Sequence, residues 1–343
     1  MFMRNCWYVA ARDWEVTRMP FARTLLNEPV VMYRREDGSP VAMEDRCCHR
    51  HLPLSHGKLE GNSLRCGYHG LLFDDKGVCT EIPGQPRIPA NAKIETYPLL
   101  EKWGWVWIWM GDPAQADESL LPNWWYAEHP EWKRSNNHYL QFDCNYELIT
   151  DNLLDVTHLA FIHANSIGSP AILEFPAKTD VKEREVNLQR WILDRAAPPM
   201  YQAAGKFAGN VDRGQIVDFV PPCHTVNHAI CVDAGQGGFD MVPGANTKKV
   251  RVSAISAPTP ATDKSTHYFF AFTRSFALDD PAVDAAFNEQ MVNVFREDKD
   301  VIEAQQRMMD LKPNAPQINI LVDAAPVAAR KMLRELIGAE GRA

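Results

Sequence analysis

Two short stretches decide how this chain is read: CCHRHLPLSHG at 47–57 and CGYHG at 66–70. Each sets a cysteine close to a histidine, Cys47 to His49 and Cys66 to His69, with sixteen residues between His49 and Cys66. Two loops that each offer a thiolate and an imidazole make a ligand set for a soft or borderline metal. Cys48 falls in the variable position of the first loop, and His51 and His56 stand nearby as competing ligands.

Two centres accept such a set. Tetrahedral zinc takes two cysteines and two histidines, and a Rieske [2Fe-2S] centre takes two cysteines on one iron and two histidines on the other. The surroundings lean toward the second. A zinc finger ends in a helix carrying its histidines, whereas the Cys66 to His69 loop runs into strand-like LLFDDKG. Gly57 and Gly70 also offer loop amides that can approach the sulfurs and raise the potential.

At 343 residues the chain is long for a single core and is expected to form two domains. A net charge of -8 without a long basic run argues against a nucleic-acid surface. The most apolar stretch, WVWIWM at 105–110, is far shorter than the ~20 residues that span a bilayer. The start has no apolar segment followed by a small-residue cleavage site, so a cytoplasmic protein with reduced thiols is expected.

Residues 1–115 read as short strands and turns. Alternation in WGWVWIW places the indoles of Trp103 to Trp109 on one face of a strand. A polar, proline-containing linker follows at 110–125, and a larger domain at 125–340 mixes strand-like runs with helical ones. The spacing predicts helices at 145–166, 283–310 and 327–337. The fold class is therefore α+β: an all-β module, then a domain with helices flanking an antiparallel sheet.

A cluster moves electrons but does not activate dioxygen, so an enzyme built on it needs a second site. DNLLDVTHLAFIH at 151–163 supplies His158 and His163, five apart, which converge only if the helix ends or bends between them. Two histidines and a carboxylate form the facial triad of non-heme iron. Asp151, Asp155, Glu297, Asp298 and Asp300 are all candidates for the third ligand, and spacing does not choose.

RNCWYVA at 4–10, the 47–57 loop and CGYHGLLFD at 66–74, followed by the histidine pair, resemble the Rieske non-heme iron oxygenases of the vanillate and dicamba O-demethylase branch. The doubled Cys47-Cys48 departs from the commoner Cys-Pro-His. The resemblance implies a Rieske domain followed by a helix-grip-like catalytic domain, with Cys47, His49, Cys66 and His69 on the cluster. His158, His163 and Asp298, in REDKD at 296–300, would hold one Fe(II), preceded by Asn152. Asp155 would be the aspartate that passes electrons from His69 to His158 between subunits of a homotrimer. Asn227 would contact substrate, while the histidine that accompanies it in dicamba-type enzymes falls near Ile255. A separate reductase would supply electrons from NAD(P)H through flavin, since no nucleotide fingerprint is present. The implied reaction is O-demethylation or hydroxylation of a substituted, carboxylated aromatic compound with O2. Cis-dihydroxylation of the ring, or methyl hydroxylation of a sulfonated or carboxylated arene, is the alternative. A non-enzymatic electron carrier and a zinc-stapled binding protein are the remaining classes.

Overall fold

The structure, a computed structural model, describes residues 1–236 and 250–341. It divides into two compact units, Met1–Leu121 together with Thr259–Asp263, and the remainder.

Among its described residues the first unit is all β, with short 3-10 turns and three small antiparallel sheets. In one of them Trp105–Trp109 lies between Trp7–Arg12 and Leu99–Lys102. The alternating sequence puts Trp105, Trp107 and Trp109 on one side, as expected, yet Val106 and Ile108 on the other side are equally inaccessible. The strand is core on both faces, which a mixed aromatic and β-branched run permits.

A second sheet, ordered Lys58–Glu60, Ser63–Arg65, Leu72–Phe73 and Cys79–Glu81, carries the ligand loops at one end. The two loops share one hydrogen-bond pattern. Cys47 N–H donates to Leu52 and receives His51 N–H at its own carbonyl, both at 3.0 Å. Cys66 does the same with Leu71 at 2.8 Å and Gly70 at 3.2 Å. The fifth position of each loop is left-handed, φ 60° at His51 and 74° at Gly70, a conformation that glycine adopts at the least cost. The glycine amides do not face the sulfurs as the sequence suggested. Gly57 N–H is held by the Leu54 carbonyl at 2.8 Å and Gly70 N–H by that of Cys66. Gly57 matters for space instead, because a Cβ there would lie 2.0 Å from the Arg65 carbonyl oxygen.

In the second unit the described strands form an eight-stranded antiparallel sheet. From one edge the order is Lys133–Arg134, Ser265–Arg274, Val250–Thr262, His224–Asp233, Val211–Val220, Glu185–Arg195 and Lys178–Lys182, with His138–Phe142 also paired to Ser265–Arg274. Four α-helices accompany it: α1 (Tyr146–Leu154), α2 (Pro199–Gly205), α3 (Pro281–Leu311) and α4 (Ala324–Glu340). Asp280 caps α3 by accepting the N–H groups of Ala282 and Val283, with Pro281 at its first position. Phe287, Met291 and Phe295 of α3 then pack on Phe142, Tyr268, Phe270 and Phe272 of the sheet.

The helix expected across 145–166 is shorter than its periodicity. Asn145 caps α1, but the helix stops at Leu154. The Asp155 carboxylate accepts Thr157 N–H at 2.8 Å, a local turn that competes with helix continuation, and β-branched Val156 and Thr157 follow. His158 therefore begins a separate 3-10 turn, His158–Ala160.

Gly57→Ala is expected to lower the stability of the first unit by about 1–3 kcal/mol or more, as overpacking against fixed backbone does. Denaturant unfolding followed by cluster absorbance measures it.

Candidate metal centres

Cys47 and Cys66 are buried beneath the tips of their loops, while His49 and His69 are exposed. The two imidazole rings lie edge to face with centroids 4.5 Å apart. Burial, and then the neighbouring Cys66 thiol, push the Cys47 thiol up to about 11, so metal must displace a proton to bind there. Asp45 braces the first loop by accepting the N–H and hydroxyl of Ser55, both at 2.7 Å. Cys48, in the variable position, is exposed.

Among the described residues, only His158, His163 and Asp298 bring three ligand atoms within 4.8 Å of one another. The four loop donors therefore do not close around one point, as a single tetrahedral zinc requires. Sulfurs inside and imidazoles outside, on matched loops, fit a two-iron cluster.

The second centre is built from three elements. Asp298 sits in the buried stripe of α3 with Met291, Val294, Phe295 and Ile302, where periodicity calls for an apolar residue. It is 5 % exposed, whereas Asp300 and Glu297 are exposed. Asp151 is taken by an ion pair with Arg330. Burial thus singles out Asp298 where spacing could not.

Asp298 Oδ1 accepts from Asn152 Nδ2 at 3.1 Å and lies 3.0 Å from His163 Nε2 and 3.5 Å from His158 Nε2. The outer nitrogens are also held. His158 Nδ1–H donates to the Asp155 backbone carbonyl, and His163 Nδ1–H to Glu297 Oε2 at 2.7 Å. Both Nε2 atoms consequently turn inward toward Asp298, the side on which a metal would replace a proton. Burial pulls the His158 imidazole below its ordinary value, favouring the neutral form that binds metal. For His163, burial acts the same way but is outweighed by Asp298 and Glu297, which hold it above the ordinary value. Glu297 was one of several possible ligands in the sequence. Its neighbour Asp298 is the inward one, one helical position on, and Glu297 supports the imidazole.

Asp155 lines a surface cavity together with His158. A second cavity, of about 80 Å³, opens on His158, His163 and Asp298 and is walled largely by apolar residues such as Val217, Ala229, Val252 and Val294. Asn227 borders it, donating Nδ2 to the Leu153 carbonyl at 2.8 Å and leaving its buried Oδ1 without a partner. Ile255 is not part of this wall. It pairs across the sheet with Val226, and Ala254 and Val252 face the cavity in its place.

Residues 6–98 match the Rieske [2Fe-2S] domain, and residues 142–339 match the vanillate O-demethylase oxygenase C-terminal domain. The chain belongs to the Rieske non-heme iron oxygenases of the vanillate O-demethylase branch. It is 40% identical, over 99% of its length and 98% of the relative's, to the iron-sulfur subunit of a toluene-4-sulfonate monooxygenase system from Comamonas testosteroni. It is 35% identical to a vanillate O-demethylase oxygenase subunit from Pseudomonas sp. (strain HR199 / DSM 7063), covering 100% and 97% of the two chains. The crystal structure of dicamba monooxygenase bound to 3,6-dichlorosalicylic acid superposes with a TM-score of 0.90 at 29% identity, covering 100% and 99%. This Rieske oxygenase is thus an oxygenase component with a [2Fe-2S] cluster and a mononuclear iron, and the donor sets just described suit both. No helix among the described residues is long and apolar enough to cross a membrane.

Asp298→Ala is expected to lower iron from about three to two per chain, the remaining pair being one cluster, with the visible cluster spectrum unchanged. Glu297→Gln should keep the iron but weaken its binding about tenfold, the lower end of such losses when an outer partner of a metal-bound histidine is removed. Iron titration of the apoprotein reads both.

Proposed function

We propose that this oxygenase component uses O2 and electrons from a separate flavin and iron-sulfur reductase to O-demethylate or hydroxylate a substituted aromatic acid. The observation that carries the reading is the triad of His158, His163 and Asp298 at a small, largely apolar cavity. At about 80 Å³ the space is smaller than the ~150 Å³ cavity that admits benzene. An aromatic substrate therefore requires the wall side chains to shift.

In this reading Cys47, His49, Cys66 and His69 hold the cluster, and His158, His163 and Asp298 hold the iron. Iron at the triad supplies dioxygen activation when it is bound, with the two electrons delivered through the cluster. A methoxyarene, O2, two electrons and two protons then give a phenol, formaldehyde and water. Asn152 orients Asp298. The apolar wall keeps bulk water from the reacting bond. The free Asn227 Oδ1 accepts a hydrogen bond from a donor on the substrate and so fixes the ring's rotation.

Electron delivery falls to Asp155. Its carbonyl already receives His158 Nδ1–H, and the residue lines a surface cavity of about 470 Å³ shared with exposed Val301, Ile318 and Val327. An exposed apolar rim beside a redox residue suits a second copy of the chain, docked with its His69 against Asp155. The protein is accordingly read as a homotrimer with electron transfer between subunits. None of the eight cysteines forms a disulfide, which leaves Cys47 and Cys66 available to the cluster.

Methyl hydroxylation of a sulfonated arene is the second reading, favoured by the 40% identity to the toluene-4-sulfonate monooxygenase subunit. A panel of methoxybenzoates and methylarenesulfonates, supplied with O2 and a competent reductase, separates the two. Formaldehyde release marks demethylation, and an aryl alcohol marks hydroxylation.

Asp155→Asn is expected to retain cluster and iron yet slow turnover at least 100-fold, while single-turnover cluster oxidation becomes rate-limiting. Normal turnover in this variant, or an active monomer in sedimentation, overturns the intersubunit route.

A further inference from the structure

Side chains on the iron-facing side of the large sheet stand in rows across the strands. One row runs Leu188, Val217, Asn227, Ala254 and the next Arg190, Gln215, Ala229, Val252. All but their first members border the iron cavity, so Arg190 closes its row directly behind Gln215. A third row, Ile192, Arg213, Cys231, Val250, follows at ~6.8 Å, two residues along the strands.

Two arginines thus occupy positions where the rest of the sheet face is mostly apolar. Arg190 is 3% exposed and Arg213 2%. Arg190 donates to Gln215 Oε1 at 3.3 Å and to Thr157 Oγ1 at 2.8 Å. Arg213 donates to the Ile167 carbonyl at 2.9 Å and lies 5.2 Å from the centre of the Tyr201 ring. Neither makes an ion pair among the described residues, and each keeps a buried Nε without an acceptor. Burial depresses both guanidinium pKa values, and the charge of Arg213 adds to the effect on Arg190, partly offset by Asp155. Arginine nevertheless stays charged inside proteins. Two cations out of water, hydrogen-bonded to neutral groups and with only the Asp155 charge acting on Arg190, are costly unless a further anion joins them.

Of the groups these arginines touch, Gln215, Ile167 and Tyr201 border the cavity, while Thr157 lies outside it. Because Gln215 Oε1 is engaged by Arg190, its amide N–H groups are the ones left to donate.

We propose that Arg190, Arg213 and Gln215 are the acid-recognition end of the cavity, selecting a monocyclic aromatic oxyanion, carboxylate or sulfonate. The head group takes its hydrogen bonds from the Gln215 amide. The two arginines act as positioning residues, orienting Gln215 and supplying positive potential in a medium of low dielectric. The ring then carries its reacting substituent toward His158, His163 and Asp298. This rests on the oxygenase reading for the reaction but not for the binding.

Calorimetric binding to the holoenzyme without reductase tests it, using benzoate and benzenesulfonate against neutral benzamide and benzenesulfonamide. The wild type is expected to bind at least one anion tenfold or more tightly than its neutral counterpart, and the tighter anion tells carboxylate from sulfonate. Arg190→Gln and Arg213→Gln should each cut that ratio at least fivefold with neutral binding little changed, and the lysine variants should restore most of it. Gln215→Glu, which pairs with Arg190 and keeps the fold, should abolish the preference. A wild type without anion preference, equal loss of anion and neutral ligand in the arginine variants, or an undiminished preference in Gln215→Glu overturns the assignment. An anion preference that depends on these residues, in a protein that oxidises no aromatic acid, would uphold it and overturn the proposed reaction.

Discussion

A single carboxylate placed where an apolar side chain belongs constrains most of the catalytic unit. Asp298 lies in the buried stripe of α3, and an ionised group there costs several kcal/mol unless it is paired and hydrogen-bonded. The compensation comes from outside the helix, from Asn152 at the end of α1 and from His163 and His158 beyond it. Helix α3 and the 152–163 segment are therefore tied by polar contacts that packing alone would not specify, and the early termination of α1 is what lets both imidazoles reach the same carboxylate. A metal bound at this candidate site would tie the same elements together as well as supply its chemistry.

The cluster site solves a related problem by different means. Its loops need no buried carboxylate at the centre, because the thiolates are themselves the charge that the metal neutralises. What the loops require is shape: repeated backbone bonds around Cys47 and Cys66, left-handed turns at His51 and Gly70, and the absence of a side chain at Gly57. The histidines are presented outward, where an electron donor or acceptor can meet them, and the cysteines inward, where solvent cannot oxidise them.

The large sheet links recognition to reaction through register. Its rows place neutral and apolar side chains beside the His158, His163 and Asp298 triad, with the guanidiniums of Arg190 and Arg213 on the two adjoining strands Glu185–Arg195 and Val211–Val220, so one face carries a gradient of polarity. An aromatic acid matches such a gradient, with an apolar body and one charged end. Asn227 adds an unpartnered acceptor on the cavity wall.

The sequence by itself determined the parts that depend on local spacing. The pairs Cys47 with His49 and Cys66 with His69 are legible because each lies in one tight loop, and the 283–310 helix because its apolar residues repeat at 3.6. The α+β order and the family follow from these. Spacing could not rank Asp151, Asp155, Glu297, Asp298 and Asp300, since which carboxylate is inward depends on how α3 meets the sheet; burial chose Asp298, and Arg330, 179 residues away in sequence, removed Asp151. Nor could periodicity end α1 at Leu154, because that turn is made by one aspartate side chain competing with the helix. Arg190 and Arg213 looked like ordinary strand residues until pairing across the sheet placed them behind Gln215. Long-range register and burial, which no local pattern encodes, decided those positions.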